Sequence, residues 1–177
     1  MVGLVEEPIH QLGQLAVLGK LATATLDIDV AVWLSGGWAM DFHRGQVTRQ
    51  HSDIDVIVAA EDQSPFWVAL QDAGLAKGQP CRSGVVDSSM SSGGPIEVTY
   101  VETTDGHTVT IGVPDWPWPS GSFDCGTVVL EGVAMRPVSV EALLDMKTGY
   151  EDHFGEPMRP QDLADVEILR GLLKRSA

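Results

Sequence analysis

Cysteine is nearly absent: Cys81 and Cys125 are the only two, far apart and outside any Cys-x-x-Cys or Cys/His grouping. That spacing excludes a structural zinc site and leaves two idle or buried thiols. Basic side chains are scarce too, with 11 Lys and Arg against 25 Asp and Glu and a formal charge of −14. Nucleic-acid affinity comes largely from counterions displaced by a basic surface, so this balance argues against a nonspecific DNA or RNA binder. No apolar run approaches the roughly 20 residues that cross a bilayer, so no membrane partner is expected. The opening MVGLVEEPIH has no basic stretch leading into a long apolar one, which makes the cytoplasm the expected location. Three nucleotide and nucleophile signatures are also missing. There is no GxxxxGK[ST] loop, no GxGxxG and no GxSxG elbow, so P-loop, Rossmann and Ser-His-Asp chemistries have no footing. His43 and His153 have no partners at metal-ligand spacing and read as surface or core histidines.

What is there suits one compact unit. A chain of 177 residues with 44% hydrophobic side chains can bury a single core, and we expect residues 1–138 to form it, with 139–177 as a helical part packed on the same domain. From Pro8 to Leu26 apolar residues recur at three- and four-residue steps, predicting a helix with one buried face. Val30 to Leu34 predicts a short strand ending at Ser35-Gly36-Gly37, and Trp38 to Arg44 predicts a helix closed by Gly45. Asp53 to Ala60 reads as a second strand, and Asp62 to Ala73 as a crossover helix. The Ser- and Gly-rich stretch from Cys81 to Pro95 predicts a mobile loop. Alternation in Ile96–Val101 and Thr108–Val113 around Asp105-Gly106 predicts a hairpin, as does Val128–Leu130 with Val133–Val138 around Glu131-Gly132. Ser139 caps a short helix expected to reach about Lys147; a last helix opens at Pro160 and is expected to bury Leu163, Val166, Leu169 and Leu173.

The chemistry concentrates in a few positions. Asp53 and Asp55 are two apart on a strand, so both carboxylates face one side, where they repel unless a hard cation or a proton intervenes. Two solvated charges on an edge strand would read the same way. Glu97 opens another alternating strand and can lie beside that pair, unless it is simply an exposed sheet residue. Three carboxylates on one face fit a two-metal site that positions a triphosphate, with the third taking a proton from an attacking hydroxyl. The Ser35-Gly36-Gly37 turn, between a strand and a helix, offers backbone amides to a phosphate. Arg49 and His51 precede the carboxylates; Arg49 can pair with phosphate oxygens or with Asp53 or Asp41. Asp115-Trp116-Pro117-Trp118-Pro119 can wall a ligand cleft or pack on the core.

The order Ser35-Gly36-Gly37-Trp38-Ala39-Met40-Asp41, Gly45, Thr48-Arg49-Gln50-His51-Ser52-Asp53-Ile54-Asp55 and a later strand with Glu97 resembles the polymerase-β-like nucleotidyltransferase superfamily. GGWAMD followed by G-x-x-TRxHxDID is similar to its antibiotic-modifying branch, which includes lincosamide nucleotidyltransferases and the aminoglycoside 2″-nucleotidyltransferase. Thr148-Gly149-Tyr150 and Arg159 with Asp162 and Asp165 are similar to the C-terminal part of that branch. The resemblance implies an α+β nucleotidyltransferase core, a mixed β-sheet flanked by helices with a short helical C-terminal part. It implies transfer of a nucleoside monophosphate, commonly AMP, from a Mg²⁺-bound NTP, commonly ATP, to a hydroxyl of a lincosamide or aminoglycoside, releasing pyrophosphate. Asp53, Asp55 and Glu97 would hold Mg²⁺, expected as two ions, with Glu97 the general base. Ser35, Gly36 and Gly37 would contact the triphosphate, Arg49 and His51 would orient the carboxylate pair or the phosphates, and Asp41, grouped with them at the nucleotide site, would orient the Gly36-Gly37 turn. A homodimer is among the assemblies the resemblance suggests. The acidic surface suits a cationic acceptor. A nucleotidyltransferase toxin acting on a protein or tRNA, and a nucleotide-binding relative without turnover, are the competing readings.

Overall fold

A computed structural model describes residues 6–75, 80–82, 85–88 and 94–176, with side chains placed for 12–75 and 94–175. The order of elements is α1 (Glu6–Leu26), β1 (Val32–Leu34), α2 (Gly36–Arg44), β2 (Ile54–Ala59), then a 3₁₀ turn (Ala60–Asp62) into α3 (Gln63–Asp72). It continues through β3 (Pro80–Arg82), β4 (Val85–Ser88), β5 (Ile96–Thr104), β6 (His107–Thr110), β7 (Val113–Pro117), β8 (Val128–Leu130) and β9 (Val133–Pro137), and closes with α4 (Val140–Phe154) and α5 (Pro160–Ser176). The strands line up as β3-β4-β5-β2-β1-β9-β8, with β6 also pairing with β5 and β7 with β6. β2 runs parallel to β5 and β1 parallel to β9, while the other pairs are antiparallel. The fold is therefore α+β with a mixed sheet, as expected.

Alternation along β2 and β5 sorts their side chains between two faces. Ile54, Val56, Val58, Val98 and Tyr100 are buried with Leu18 and Leu21 of α1 and Phe66, Trp67 and Leu70 of α3. The polar tips in this layer are satisfied internally, Trp67 Nε1 donating to the Tyr100 hydroxyl. The opposite face carries Asp55 and Ile57 of β2 and Trp33 of β1, which pairs with Ile57. Over Trp33 lies the segment that follows β7: Phe123 meets the indole edge-on at 5.0 Å and Trp118 packs on Phe123 at 5.3 Å. Trp118 is thus core, 7% exposed. Both expected hairpins form, and their turns place Asp105 and Gly106 at φ 53° and 79° and Glu131 and Gly132 at φ 49° and 80°. Left-handed pairs of this kind match the twist of the strands they join.

Several expectations change. The Ser/Gly-rich stretch contains β3 and β4, because the open edge of β5 supplies partners: Val85 to Ser88 pairs antiparallel with Thr99 to Ile96. The rest of that loop expectation, at 83–84 and 89–93, lies outside the described residues. The helix after Ser139 runs past Lys147 to Phe154, where Gly155 at φ 70° ends it. Ser139 Oγ accepts from the Ala142 amide as a cap. On α5, Val166 and Leu169 are buried as expected but Leu163 is 55% exposed. No described helix is long and apolar enough to cross a membrane.

Leu34 is fully buried in β1, the strand between β2 and β9. Leu34→Ala is expected to cost about 3 kcal/mol of stability, read as a lower urea midpoint at unchanged slope.

Candidate active site

The site grows from the start of α2. Ser35, in extended conformation at φ −124°, precedes the helix, and its hydroxyl makes no capping hydrogen bond. Its amide donates to the Asp55 carbonyl at 3.0 Å, tying the helix start to β2. Gly36 adopts φ 58°, and a Cβ there would lie 1.9 Å from Asp55 Oδ2. A Cβ on Gly37 would lie 2.3 Å from His51 Nδ1. Both glycines are therefore required by close approach: the helix N-terminus presses against the carboxylate of Asp55 and the imidazole of His51.

The parallel register pairs Asp55 with Glu97, putting two carboxylates side by side on one face, while Asp53, expected on the same strand, lies just before β2 begins at Ile54. Asp55 is half-buried. Burial first, then the charges of Asp53 and Glu97, push its carboxyl up to about 7, against the pull of Lys147 and Arg159. A partly buried carboxylate beside two others is stabilised in its charged form by a bound cation, and an all-carboxylate oxygen donor set suits Mg²⁺. The three are not drawn round a single point: among the described residues no group of three His, Cys, Asp or Glu side chains is gathered to hold one ion.

Asp41 and His51, expected to orient the glycine turn and the carboxylates or phosphates, are both buried. Asp41 is 1% and His51 3% exposed. His51 Nε2 donates to Asp41 Oδ2 at 2.7 Å, and Thr48 donates to the same carboxylate through its amide (3.2 Å) and hydroxyl. Trp38 covers the imidazole, ring centroids 4.8 Å apart. The two residues brace the segment that leads into Asp53 from within. Arg49 pairs with neither Asp53 nor Asp41; it reaches α5, where Asp165 Oδ2 accepts from its Nη2 at 3.4 Å. With its amide oxygen turned toward the guanidinium, Gln161 accepts from the same group at 2.8 and 3.0 Å.

Beyond Arg49 lies an ionic network whose roles sequence reading did not assign. Lys147 of α4 bonds to Asp162 and, at 3.0 Å, to Asp165, while Arg159 Nε donates to Asp162 Oδ2 at 2.8 Å. The Arg159 hydrogen bonds, aided by Lys147, hold the Asp162 carboxyl well below the usual carboxylate range. The cations Lys147 and Arg159 act on Asp55 from α4 and the α4–α5 connection. One end of the sheet thus carries three carboxylates, a tightly packed helix N-terminus and two facing cations. That set can hold a metal-bound polyphosphate and accept a proton beside it.

Comparison with known proteins gives this arrangement a setting. A family model described as aminoglycoside-2″-adenylyltransferase matches residues 17–169. A 2″-aminoglycoside nucleotidyltransferase from Escherichia coli is 38% identical over 61 residues, 34% of this chain and 34% of that protein's length. The match therefore spans about a third of that curated relative. Among solved structures, the antibiotic-resistance factor ANT(2″)-Ia superposes with a TM-score of 0.71 at 21% identity, covering 94% of this chain and 85% of the other. The lincosamide antibiotic adenylyltransferase LnuA, in its lincomycin-bound form, superposes at 0.67 and 18% identity, covering 93% and 98%. These two likenesses show a shared fold.

Between pH 3.8 and about 7 the folded chain keeps the Asp55 proton that the unfolded chain has released. The native state binds more protons there, so this group's contribution to stability falls as pH rises through the window and is level above it. Asp55→Asn removes that contribution. Its stability relative to the parent, from urea unfolding without divalent metal, is expected to rise with pH across the window; a constant difference would contradict the raised value.

Proposed function

The chain belongs to the aminoglycoside-2″-adenylyltransferase family, and from that premise we propose that it is an antibiotic O-nucleotidyltransferase. It moves a nucleoside monophosphate, AMP by preference, from a Mg²⁺-bound NTP to a hydroxyl of an aminoglycoside or lincosamide. The observation that carries this reading is the side-by-side placement of Asp55 and Glu97 against the N-terminus of α2. A carboxylate pair alone suits many sites. Pressed against exposed backbone amides, it suits a bound polyphosphate and its cation.

Asp53 and Asp55 would hold Mg²⁺, with Glu97 beside them. When bound, the cation neutralises charge on the transferring phosphoryl group and its leaving oxygen. The amides of Gly36 and Gly37 and the uncapped Ser35 hydroxyl hold the phosphates, and Lys147 and Arg159 face them as counter-charges. Glu97 takes the acceptor hydroxyl proton as the oxygen attacks the α-phosphorus. The bond from that phosphorus to the bridging oxygen breaks, and pyrophosphate leaves. Asp41 and His51, both buried, keep the Thr48–Asp53 segment in register so that Asp53 stays beside Asp55. Arg49 joins that segment to α5. In this reading all three position the site, with Arg49 and His51 orienting the carboxylates rather than the phosphates.

Mass spectrometry of reactions with Mg²⁺, each of the four NTPs, and tobramycin or lincomycin tests the reaction directly. One nucleoside monophosphate added to either acceptor is expected from the parent protein and none from Asp53→Asn or Asp55→Asn, each still folded by circular dichroism. Glu97→Gln is expected to lower kcat by 10²-fold or more, on the order of general-base losses, with a smaller change in nucleotide affinity. Turnover unchanged in all three variants would remove these carboxylates from the reaction.

Gly37→Ala drives a methyl group into His51 and shifts the helix start. It is expected to raise KM for ATP at least tenfold while the chain stays folded, measured by steady-state kinetics at saturating acceptor.

A further inference from the structure

Helix α1 contributes no side chain to the site, yet one of its buried positions is polar. Val17, Leu18 and Leu21 line the buried face of α1, and Gln14, three and four residues before Val17 and Leu18 on that face, is 0% exposed. An indole nitrogen can only donate, so the amide oxygen of Gln14 is the atom that faces Trp38: Trp38 Nε1 donates to Oε1 at 3.2 Å. The amide nitrogen is buried without a hydrogen-bond partner among the described residues. A neutral hydrogen bond contributes little net free energy, and a buried unpaired donor costs as much or more. For stability alone, Gln14 is therefore no better than an apolar side chain of the same length. What it supplies is direction, because it fixes the edge of one indole.

That indole backs the support of α2. Trp38, 1% exposed, lies against the imidazole of His51 with ring centroids 4.8 Å apart and planes at 43°. A Cβ on Gly37 would lie 2.3 Å from His51 Nδ1 and 2.9 Å from Arg49 Nη2. The first turn of α2 thus rests on two side chains, each backed by a different helix. Arg49 is held from α5 by Asp165. His51 is held through Trp38 from α1 by Gln14. Close-packed interiors compress little, so a tilt of the indole passes to the imidazole and from there to the glycine pressed against it.

We propose that Gln14 is a positioning residue: through Trp38 and His51 it sets the seat of Gly37, and with it the direction of the backbone amides at the start of α2. The consequence for turnover rests on the transfer reaction proposed above, whereas the seat itself is read without turnover. Gln14→Met removes the acceptor at similar length. Gln14→Glu keeps an oxygen acceptor, since burial holds that carboxyl in its neutral form. Trp38→Phe removes the donor and keeps a ring, so the test survives if one variant fails to fold. Nitrogen-15 NMR follows the Trp38 indole, the Gly37 amide and the His51 ring, urea unfolding gives stability, and steady-state kinetics uses Mg²⁺, ATP and tobramycin or lincomycin.

In Gln14→Met the urea midpoint is expected to stay near the parent's, because one unpaired buried donor, Gln14 Nε2, is exchanged for another, Trp38 Nε1. The Gly37 and His51 signals are expected to move, and to return in Gln14→Glu. KM for ATP should rise about fivefold in Gln14→Met and in Trp38→Phe with kcat within about twofold, and the double variant should be no worse than either, as for two halves of one link. Gly37 and His51 signals unchanged in Gln14→Met, a KM for ATP equal to the parent's, or losses that multiply in the double variant would each overturn the assignment. Signals that move and return in a protein that transfers no nucleotide would support the seat and defeat the transfer reading instead.

Discussion

Like charges held close together shape this molecule more than any attractive contact. The parallel pairing of β2 with β5 forces Asp55 and Glu97 into adjacent positions, and the charge of Asp53, just before β2, bears on Asp55 as well. Without counter-charge the sheet end would repel itself, so the rest of the structure gathers compensation around it. The α2 N-terminus is pushed to within a missing Cβ of Asp55, and Lys147 and Arg159 act on the same carboxylate from the helical part. Even so, burial, and after it the charges of Asp53 and Glu97, push the Asp55 carboxyl up to about 7 against the pull of both cations.

The bracing of this end is itself polar and buried, which is costly unless every group finds a partner. Asp41 satisfies that condition by receiving Thr48 and His51 at once. Asp162 and Asp165 satisfy it through Lys147, Arg159 and Arg49. The second cluster joins three separate pieces of chain, so α4 and α5 are fixed to the loop before β2 by charge as well as by apolar packing. The cations that face Asp55 are thereby held in place by anions behind them, a layered arrangement that orients them without neutralising the front of the site.

How much of this could be read beforehand follows from range. Asp53, Asp55 and Glu97 were legible because strand periodicity alone fixes which side chains share a face, and Ser35-Gly36-Gly37 because glycine between a strand and a helix implies close approach. The burial of Asp41 and His51 was not legible, since only the tertiary fold shows them consuming each other's hydrogen bonds. Lys147 carries no local signal: its partners Asp162 and Asp165 lie on the next helix and meet it only after α4 and α5 pack. β3 and β4 hide behind a Ser/Gly composition that reads as loop, while the edge of β5 makes strands of them. The length of α4 was missed for a related reason, because Thr148-Gly149 looks like a stopping point when that glycine in fact admits Trp116.

Gly36 and Gly37 leave no space for a side chain, one facing Asp55 and the other His51. Every single-base change that replaces either glycine adds at least a methyl group at a point where two elements already touch. The start of α2 is therefore closed to gradual adjustment. Trp116 of β7 and the α4 surface beneath it, by contrast, meet through side chains at a margin partly open to solvent, where size and polarity can change by degrees. Genetic variation has room on α4 and β7, and almost none at the mouth of α2.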